Sequence, residues 1–207
     1  MHKIFALLGN YNIISERTYN AVLQKLILAE CKQGTILISP DRPQEMVYFI
    51  AEGITRNFYS HHDQEWTHRF DIAGDCIMTS ANFIDDEMSM DYVETCTDVK
   101  LYGISKKDFQ VLILLNPDLD KVSGKILERR LSRFEKRMQD LYTLSEEDLF
   151  LKFSKDFPTI FSQVEDRHVA SYLRMSTSMF SKLKKKTVLE KKSGITIWNI
   201  IRKVLKG

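Results

Sequence analysis

The pattern of apolar and polar positions changes character along the chain. In the first thirty residues apolar side chains fall at helical spacing, as at Leu23, Leu26 and Ile27, and Gly34 marks a stop. Residues 34–104 form short segments rich in β-branched and aromatic residues, separated by turn signals, which indicate an antiparallel barrel or roll. The predicted strands are Thr35–Ile38, Met46–Ile50, Ile54–Tyr59, Trp66–Phe70 and Val99–Ile104.

Helical periodicity returns after the last predicted strand. Ser105 is a candidate N-cap for a short helix over 106–114, and Asn116-Pro117 ends it. The longest helical stretch follows, from Asp118 to about Tyr142. Within it apolar residues recur at spacings of 4, 3, 4 and 3, which is a heptad seam surrounded by charged positions. The seam consists of Leu127, Leu131, Phe134, Met138 and Leu141.

This seam has two interpretations. It packs against the chain's own roll, or it pairs two copies of the helix in a parallel dimer. A second apolar set on the same helix, Leu119, Val122 and Ile126, is available to pack on the roll and would leave the seam free. We therefore predict a two-fold dimer through the seam. A further helix is expected to begin at Ser145 and to end near Phe157-Pro158.

The segment 167–186 predicts two short helices joined by a tight turn. Val169, Ala170 and Leu173 form the apolar face of the first helix, and Ser176 is a candidate N-cap of the second. Small polar residues at the start of the second helix, with cations behind them, are typical of a helix that docks in the major groove of DNA. A surface hairpin with a solvated lysine run is the alternative. Met179, Phe180 and Leu183 are the expected buried side.

The distribution of charge favours a polyanionic partner. Residues 167–207 carry eleven Lys and Arg against one acid, Glu190, a net of +10. Since the whole chain carries +2, the first 166 residues carry −8. A basic terminal module on an acidic body is the electrostatic footprint expected of a DNA-binding protein. The predicted DNA-binding residues are Arg167, His168, Arg174, Ser176, Thr177, Ser178, Ser181, Lys182, Lys184, Lys185 and Lys186.

Three motifs connect this order of elements to a known family. They are Val47–Gly53, Phe70–Asp75, and His168–Leu173 followed by Met175-Ser176. Together they resemble the Crp/Fnr transcription factors over nearly the whole chain. The resemblance implies an α+β fold: an N-terminal antiparallel β-roll of the cyclic-nucleotide-binding type with flanking helices, a long dimerisation helix and a helical helix-turn-helix domain. It divides the chain into a sensory roll (1–115), a dimerisation helix (116–144) and a DNA-binding domain (145–207).

The resemblance also implies a function. The chain is expected to be a cytoplasmic, sequence-specific DNA-binding regulator that acts as a homodimer on double-stranded DNA and contacts RNA polymerase. It is expected to have no enzymatic activity, no cofactor, no metal and no membrane association. An effector, if one exists, is placed in the roll. The expected effector residues are Gly74, Asp75, Cys76, Ser89 and Met90.

The chain departs from the cyclic-nucleotide-binding members of the family. Those members place an arginine on the cyclic phosphate, because a buried phosphodiester needs a cation with several donors. Here no Arg or Lys lies between Arg69 and Lys100, and Asp85, Asp86 and Glu87 make the neighbourhood acidic. An unpaired phosphate there would cost several kcal/mol. Cyclic AMP is therefore not expected to be the effector.

Other cofactor chemistry is also disfavoured. Cys31, Cys76 and Cys96 are too widely spaced for an iron–sulfur cluster or a zinc site and predict reduced, mostly buried thiols. Haem remains an open alternative through the histidines at 61, 62 and 68, although a polar hairpin more often leaves such residues solvated. Neither a nucleophile–base pair nor a phosphate-binding glycine loop supports an enzyme.

Two features of the C-terminal segment limit the prediction of sequence-specific DNA binding. Arg174 occupies the turn position where the family usually has glycine, so it must adopt a strained positive φ or a shifted turn. The predicted reading helix offers serine, threonine and lysine, which discriminate weakly between bases. Residues 194–207 predict a short amphipathic helix that packs back on the domain. An adaptor that binds an acidic protein through Phe180 and Trp198 is the alternative function.

Overall fold

The computed structural model describes residues 8, 11–62, 64–79 and 89–192, and only the backbone of residues 188–192. The acidic run at 85–87, Trp198 and the predicted helix over 194–207 lie outside these residues. The helices are α1 (Glu16–Leu23), α2 (Lys106–Leu115), α3 (Pro117–Thr143), α4 (Glu146–Asp156), α5 (Pro158–Gln163), α6 (Asp166–Tyr172) and α7 (Thr177–Lys192). The strands are β1 (Ile27–Cys31), β2 (Ile36–Ile38), β3 (Met46–Glu52), β4 (Ile54–His61), β5 (Gln64–Ile72), β6 (Cys76–Ile77), β7 (Tyr92–Thr95) and β8 (Val99–Ser105).

The strands form two antiparallel sheets with the orders β1-β8-β3-β6 and β2-β7-β4-β5. A small apolar cluster drawn from both sheets fills the space between them. The tight turn from β3 to β4 depends on Gly53, whose φ is +97° and whose added Cβ would lie 2.5 Å from the carbonyl oxygen of Asp98. The predicted α+β class, with a roll followed by helices, is confirmed. The cluster consists of Ile38, Ile50, Ile77, Val93, Val99 and Leu101.

The predicted helix over the first thirty residues is wrong beyond Leu23. Residues Ile27–Cys31 form β1, which pairs with β8 in the register Ile27↔Gly103 to Cys31↔Val99. Three apolar residues at helical spacing, Leu23, Leu26 and Ile27, do not by themselves exclude a strand over the residues that follow, and pairing with β8 decides between helix and strand. The side chain of Ser15 caps α1 by accepting a hydrogen bond from the Thr18 amide.

The long helix α3 packs one face on the roll. Ser105 caps the preceding helix α2 as predicted, and Pro117 occupies the first turn of α3, where a missing N–H costs nothing. Leu119, Val122 and Ile126 are at most 2 % exposed and lie in a core with Val47, Phe49 and Phe109 of the roll and α2. The second apolar set therefore packs on the roll, as the sequence predicts.

The C-terminal helices have an aromatic core of their own that continues into the roll. Phe150 and Phe180 meet edge to face with ring centroids 5.3 Å apart, and both are at most 1 % exposed. Ile54 and Phe70 of the second sheet belong to the same cluster, together with Phe153 and Leu173. The helical domain is thus packed directly on the outside of the roll.

The three cysteines are free, and Cys76 and Cys96 are buried. Burial raises the pKa of both thiols to about 12, so they remain protonated and act as small apolar groups. Among the described residues no group of three potential ligands is arranged to hold a metal ion. Within the same part of the chain, no helix has the length and apolar character needed to cross a bilayer.

Candidate nucleic-acid interface

Helices α6 and α7 form the predicted helix-turn-helix. Val169 and Ala170 of α6, and Leu173 after it, are at most 3 % exposed. Phe180 and Leu183 of α7 are at most 5 % exposed and lie in the same cluster. The two helices are joined by residues 173–176, and their buried faces hold them against α4 and α5.

The turn is closed around a left-handed arginine. Arg174 has a φ of +59°, its amide donates to the Ser171 carbonyl, and the Met175 amide donates to the Ala170 carbonyl, both at 3.1 Å. This is the hydrogen-bond pattern of a Schellman helix ending, in which the left-handed position is usually glycine. The chain therefore keeps a strained backbone to place an exposed guanidinium at the turn.

Replacing this arginine by glycine is expected to stabilise the fold. Arg174→Gly removes the left-handed strain, and after the larger backbone entropy of glycine is counted it should raise the free energy of unfolding by about 0.5–1 kcal/mol. Arg174→Ala, which loses the same charge but keeps the strain, is the matched control. Urea denaturation of the three proteins measures the difference. Equal stability of the glycine and alanine variants would contradict a strained turn.

Helix α7 presents one polar face to solvent. Ser176 caps it by accepting a hydrogen bond of 3.1 Å from the Met179 amide. Behind the cap, Ser178, Ser181, Lys182 and Lys185 recur at i, i+3, i+4 and i+7, which places them on one side of the helix. Ser178 and both lysines are exposed, and Ser181 is half-buried. Neither lysine has an ion pair within the residues that the structure describes, so both ammonium groups are available to an anion.

Three other predicted phosphate-binding cations have partners within the chain. The side chain of Arg167 lies 2.8 Å from the Glu165 carboxylate, and those of Lys184 and Lys186 lie 2.6 Å from Asp166 and Glu147. Exposed ion pairs of this kind are weak, so a phosphate can compete with the carboxylate for the cation. Thr177 is exposed at the start of α7 beside the serines.

His168 is not placed where it could contact DNA, so its inclusion among the DNA-binding residues is wrong. It is 6 % exposed and belongs to the buried side of α6. Burial, together with the positive charges of Arg56 and Arg167, lowers the pKa of His168 to about 4. The imidazole is therefore a neutral core group at physiological pH.

The buried histidine is expected to make the fold less stable in mild acid. The unfolded chain binds a proton at His168 below about pH 6.5, whereas the folded chain resists it until about pH 4. Stability contributed by the neutral imidazole is thus lost as the pH falls from about 6.5 to about 4, by about 1 kcal/mol for each pH unit. His168→Gln should flatten this part of the curve. Urea denaturation at several pH values tests it, and a His168→Gln variant that keeps the wild-type slope would contradict the role given to this imidazole.

The helix-turn-helix is attached to β5 through the peptide groups of that strand. The Ser171 hydroxyl accepts a hydrogen bond of 2.9 Å from the Thr67 amide and donates one of 3.0 Å to the Glu65 carbonyl. Arg137 of α3 donates to the carbonyl oxygens of His68 at 3.1 Å and Tyr172 at 2.8 Å, with its guanidinium 4.0 Å from the centre of the Tyr172 ring. The roll, the long helix and the C-terminal helices therefore meet at β5.

The predicted effector residues have different surroundings. Asp75 pairs at 2.8 Å with Arg133, and burial raises the pKa of this carboxyl. Gly74 and Cys76 flank Asp75, and Arg130 of α3 donates to the carbonyl oxygens of Cys76 and Met78. Ser89 is buried, whereas Met90 is 76 % exposed. Arginines of α3 therefore hold this turn, a set of contacts that their charged positions on the helix did not predict.

The three histidines considered as haem ligands do not converge. His61 and His62 are exposed and stack on each other with ring centroids 3.9 Å apart. His68 lies on β5, where its Nε2 is 3.0 Å from Asp91. A pair of exposed rings and a third engaged with a carboxylate do not provide an enclosed axial site.

The predicted dimer seam is partly exposed. Leu127, Leu131 and Phe134 are 37 %, 59 % and 60 % exposed. Met138 is half-buried, and Leu141 packs on the aromatic core of the C-terminal helices, so Leu141 does not belong to a free seam. The outward apolar surface of α3 is therefore centred on its middle third.

Comparisons with known proteins identify the fold. No protein-family model matches the chain, and no curated protein matches it in sequence. Solved structures do match: the c-di-GMP-responsive global regulator CLP of Xanthomonas campestris has a TM-score of 0.69 at 19 % identity and covers 86 % of this chain and 93 % of its own. FixK2 of Bradyrhizobium japonicum has a TM-score of 0.69 at 14 % identity, covering 82 % and 86 %.

A third solved structure, described as a transcriptional regulator of the Crp/Fnr family from Eubacterium rectale, also matches. It superimposes with a TM-score of 0.71 at 12 % identity over 89 % of this chain and 88 % of its own. These matches span both the roll and the helix-turn-helix, so they cover the full order of elements described above. The chain therefore has the fold of the Crp/Fnr transcriptional regulators, at 12–19 % sequence identity to the three structures compared.

Proposed function

We propose that this protein is a dimeric, sequence-specific DNA-binding transcriptional regulator whose helix α7 enters the major groove. The observation that carries the proposal is the exposed face of α7, where Ser178, Lys182 and Lys185 are available and the opposite face is fixed in the core. A recognition helix needs this combination, because it must present base-reading and phosphate-binding groups on a rigid support.

The two kinds of side chain on this face have different roles. Lys182 and Lys185 neutralise phosphates and release counterions, which supplies affinity that falls steeply with salt. Serine and threonine hydroxyls at the start of α7 contact base edges or nearby backbone oxygens. Arg174, at the turn, adds a further phosphate contact. The interface therefore combines strong, sequence-independent attraction with modest discrimination between bases.

Dimerisation through α3 completes the proposal. Two copies paired along Leu127, Leu131 and Phe134 would present two α7 helices related by a two-fold axis, as a palindromic operator requires. The division into a roll over 1–115, a dimerisation helix over 116–144 and a DNA-binding domain over 145–207 is part of the same proposal. An effector that changes the pairing of α3 would change the spacing of the reading helices.

Cyclic AMP is not proposed as that effector. The stretch between Arg69 and Lys100 has no Lys or Arg, and the arginines of α3 that reach the glycine–acid turn already donate to Asp75 and to backbone carbonyls. A phosphodiester there would have to displace these interactions and lie beside the Asp75 carboxylate. Binding of cyclic AMP to the purified protein, measured by calorimetry, is expected to be absent at millimolar nucleotide.

The test of the main proposal is a DNA mobility-shift assay over a range of salt concentrations. Promoter fragments from the source genome compete against random DNA of equal length. At least one fragment is expected to bind at least tenfold more tightly than random DNA, and all binding should weaken as salt rises. Equal affinity for every fragment would overturn sequence-specific regulation.

The alternative function, an adaptor for an acidic protein, was to bind through Phe180 and Trp198, and the first of these is unavailable. Phe180 was expected to contact an acidic protein partner, but it is fully buried between Phe150 and Phe161. A side chain in that position cannot reach a partner without unfolding the C-terminal core. The exposed lysines of α7 remain, and they are better explained by DNA.

A further inference from the structure

A groove of about 570 Å³ lies beside the exposed seam of α3, where the roll, the long helix and the C-terminal helices meet. One wall is the end of β5, the second is α3, and the third is formed by the end of α4, the start of α5 and Tyr172. The seam residues Leu127, Leu131 and Phe134 belong to the α3 wall. A second copy of the chain that pairs along the seam therefore lies directly against the groove.

The two edges of the seam differ in where they lie and in what they carry. When Leu131 is assigned to heptad position a, the seam occupies positions a and d. The g positions that follow line the groove, whereas the e positions do not and lie on the opposite edge of the seam. Position g is occupied by Arg130 and Arg137, and position e by Glu128, Glu135 and Tyr142.

The two arginines at position g keep their positive charge. Arg130 and Arg137 donate to backbone carbonyl oxygens of their own chain, and a carbonyl accepts a hydrogen bond without neutralising the cation. Neither arginine has an ion pair among the residues that the structure describes. Phe157 lies in the opposite wall of the groove and is 42 % exposed. The groove therefore presents positive charge beside an exposed aromatic ring.

Two side chains at position e have no partner within the described part of the chain. Glu135 is exposed and forms neither a hydrogen bond nor an ion pair there. Tyr142 is 81 % exposed, and its hydroxyl and ring make no contact of their own there. One chain thus has unpaired cations on one edge of its seam, and an unpaired carboxylate and an exposed aromatic ring on the other.

A parallel pair of α3 helices brings these two edges together. In such a pair, position g of one helix lies next to the e position five residues further along the other helix. Arg130 then meets Glu135 of the second copy, and Arg137 meets Tyr142 of the second copy. An antiparallel pair would instead bring the two g edges together and oppose arginine to arginine. The charges on α3 therefore favour the parallel pair.

We propose that the second copy completes this groove, with its Glu135 paired to Arg130 and its Tyr142 packed against Arg137 and Phe157. The inference rests on the proposed dimer through α3 and goes beyond it, because the second copy then contacts the end of α4 and the start of α5 as well as the long helix. Each helical domain is held by its own β5 on one side and by the long helix of the second copy on the other. Pairing of the long helices therefore fixes the position of each α7.

The first test places a photoreactive side chain on the exposed edge of the seam. Tyr142→benzoylphenylalanine keeps an aromatic ring at that position, and the full-length variant is mixed with wild-type chains that carry heavy isotopes. Irradiation is expected to join the variant to labelled peptides that contain Arg137 or residues 153–160, which shows that the contact is between chains. Leu114→benzoylphenylalanine, at an 83 % exposed position outside the seam, is the matched control and should give no such product.

Two outcomes of the cross-linking experiment would contradict the proposal in different ways. A dimer that gives no product between Tyr142→benzoylphenylalanine and the groove peptides would overturn this inference and leave pairing through α3 in place. A protein that sediments as a monomer would overturn both. Neither measurement contains DNA, so both are independent of the proposed recognition by α7.

The second test reverses the charge at position e. Glu135→Lys is expected to raise the dimer dissociation constant about tenfold at low salt, because each copy then opposes a lysine to Arg130, and the effect should shrink as salt rises. Glu128→Lys makes the same change at the preceding e position, which faces Ser123 of the second copy, and should stay close to the wild type. Sedimentation equilibrium measures both variants. Equal weakening by the two would overturn the pairing of Glu135 with Arg130.

Discussion

Reversing the two free lysines of α7, Lys182→Glu with Lys185→Glu, is expected to weaken DNA binding about a hundredfold or more. Each lysine that leaves a phosphate removes about one released counterion, and each new carboxylate repels the backbone. The slope of log affinity against log salt should therefore become shallower by about two units for each bound chain. Fluorescence anisotropy with a labelled promoter fragment, at several salt concentrations, measures both quantities.

The matched control changes the same amount of charge at a different place. Lys107 lies on α2 and Lys121 on α3, and both are exposed. Lys107→Glu with Lys121→Glu should shift the affinity only slightly, through the long-range field, and should leave the salt slope nearly unchanged. If both double variants weaken binding equally, the attraction comes from net charge and α7 is not the reading helix.

Placing charge on the exposed seam of α3 is expected to separate the dimer. Leu131→Glu with Phe134→Glu puts two carboxylates from each copy into an apolar interface, so four charges must be buried or the copies must part. The dimer dissociation constant should rise by about a thousandfold or more. Because both side chains are about 60 % exposed in the single chain, the fold itself should remain intact. Sedimentation equilibrium gives the assembly state, and circular dichroism checks the fold.

The control for the seam is another exposed apolar pair. Leu114 and Leu115, at the end of α2, are 83 % and 70 % exposed. Leu114→Glu with Leu115→Glu introduces the same carboxylates outside the seam and should leave the dimer as it is. Dissociation by this control and not by the seam variant would place the interface on α2 instead. A wild-type protein that is monomeric at every concentration would remove α3 from the proposal.

The parts of the fold that local pattern determines could be predicted from the sequence. Five strands, the caps at Ser105 and Ser145, and the break at Asn116-Pro117 depend on neighbours a few residues away. Strand β1 was missed because its few residues also fit a helix, and β6 and β7, of two and four residues, are too short to have a clear periodicity. Pairing with distant strands decided all three, and such pairing leaves no local signal.

In the candidate DNA interface, too, the features set by local pattern could be predicted and those set by distant contacts could not. The exposed positions of α7 follow from its helical period. The missing glycine at Arg174 predicted either a positive φ or a shifted turn, and the structure has the positive φ. The burial of His168 could not be predicted, because the motif does not show which side of α6 faces the core. The contacts of Arg130, Arg133 and Arg137 were missed because cations on a long helix are usually solvated. Their acceptors are mostly backbone carbonyls, which any residue provides.

The attachment of α6 to β5 has a consequence for the solubility of the chain. β5 is the outermost strand of its sheet, and the Ser171 hydroxyl and the Arg137 guanidinium occupy peptide groups that would otherwise face outward unpaired. Unpaired outer strands recruit strands from other molecules and lead to aggregation. The C-terminal helices therefore cover a strand edge that would otherwise be free to pair with another molecule, in addition to the DNA-binding role proposed for them. Any state in which α6 leaves β5, including a chain truncated after α3, exposes that edge.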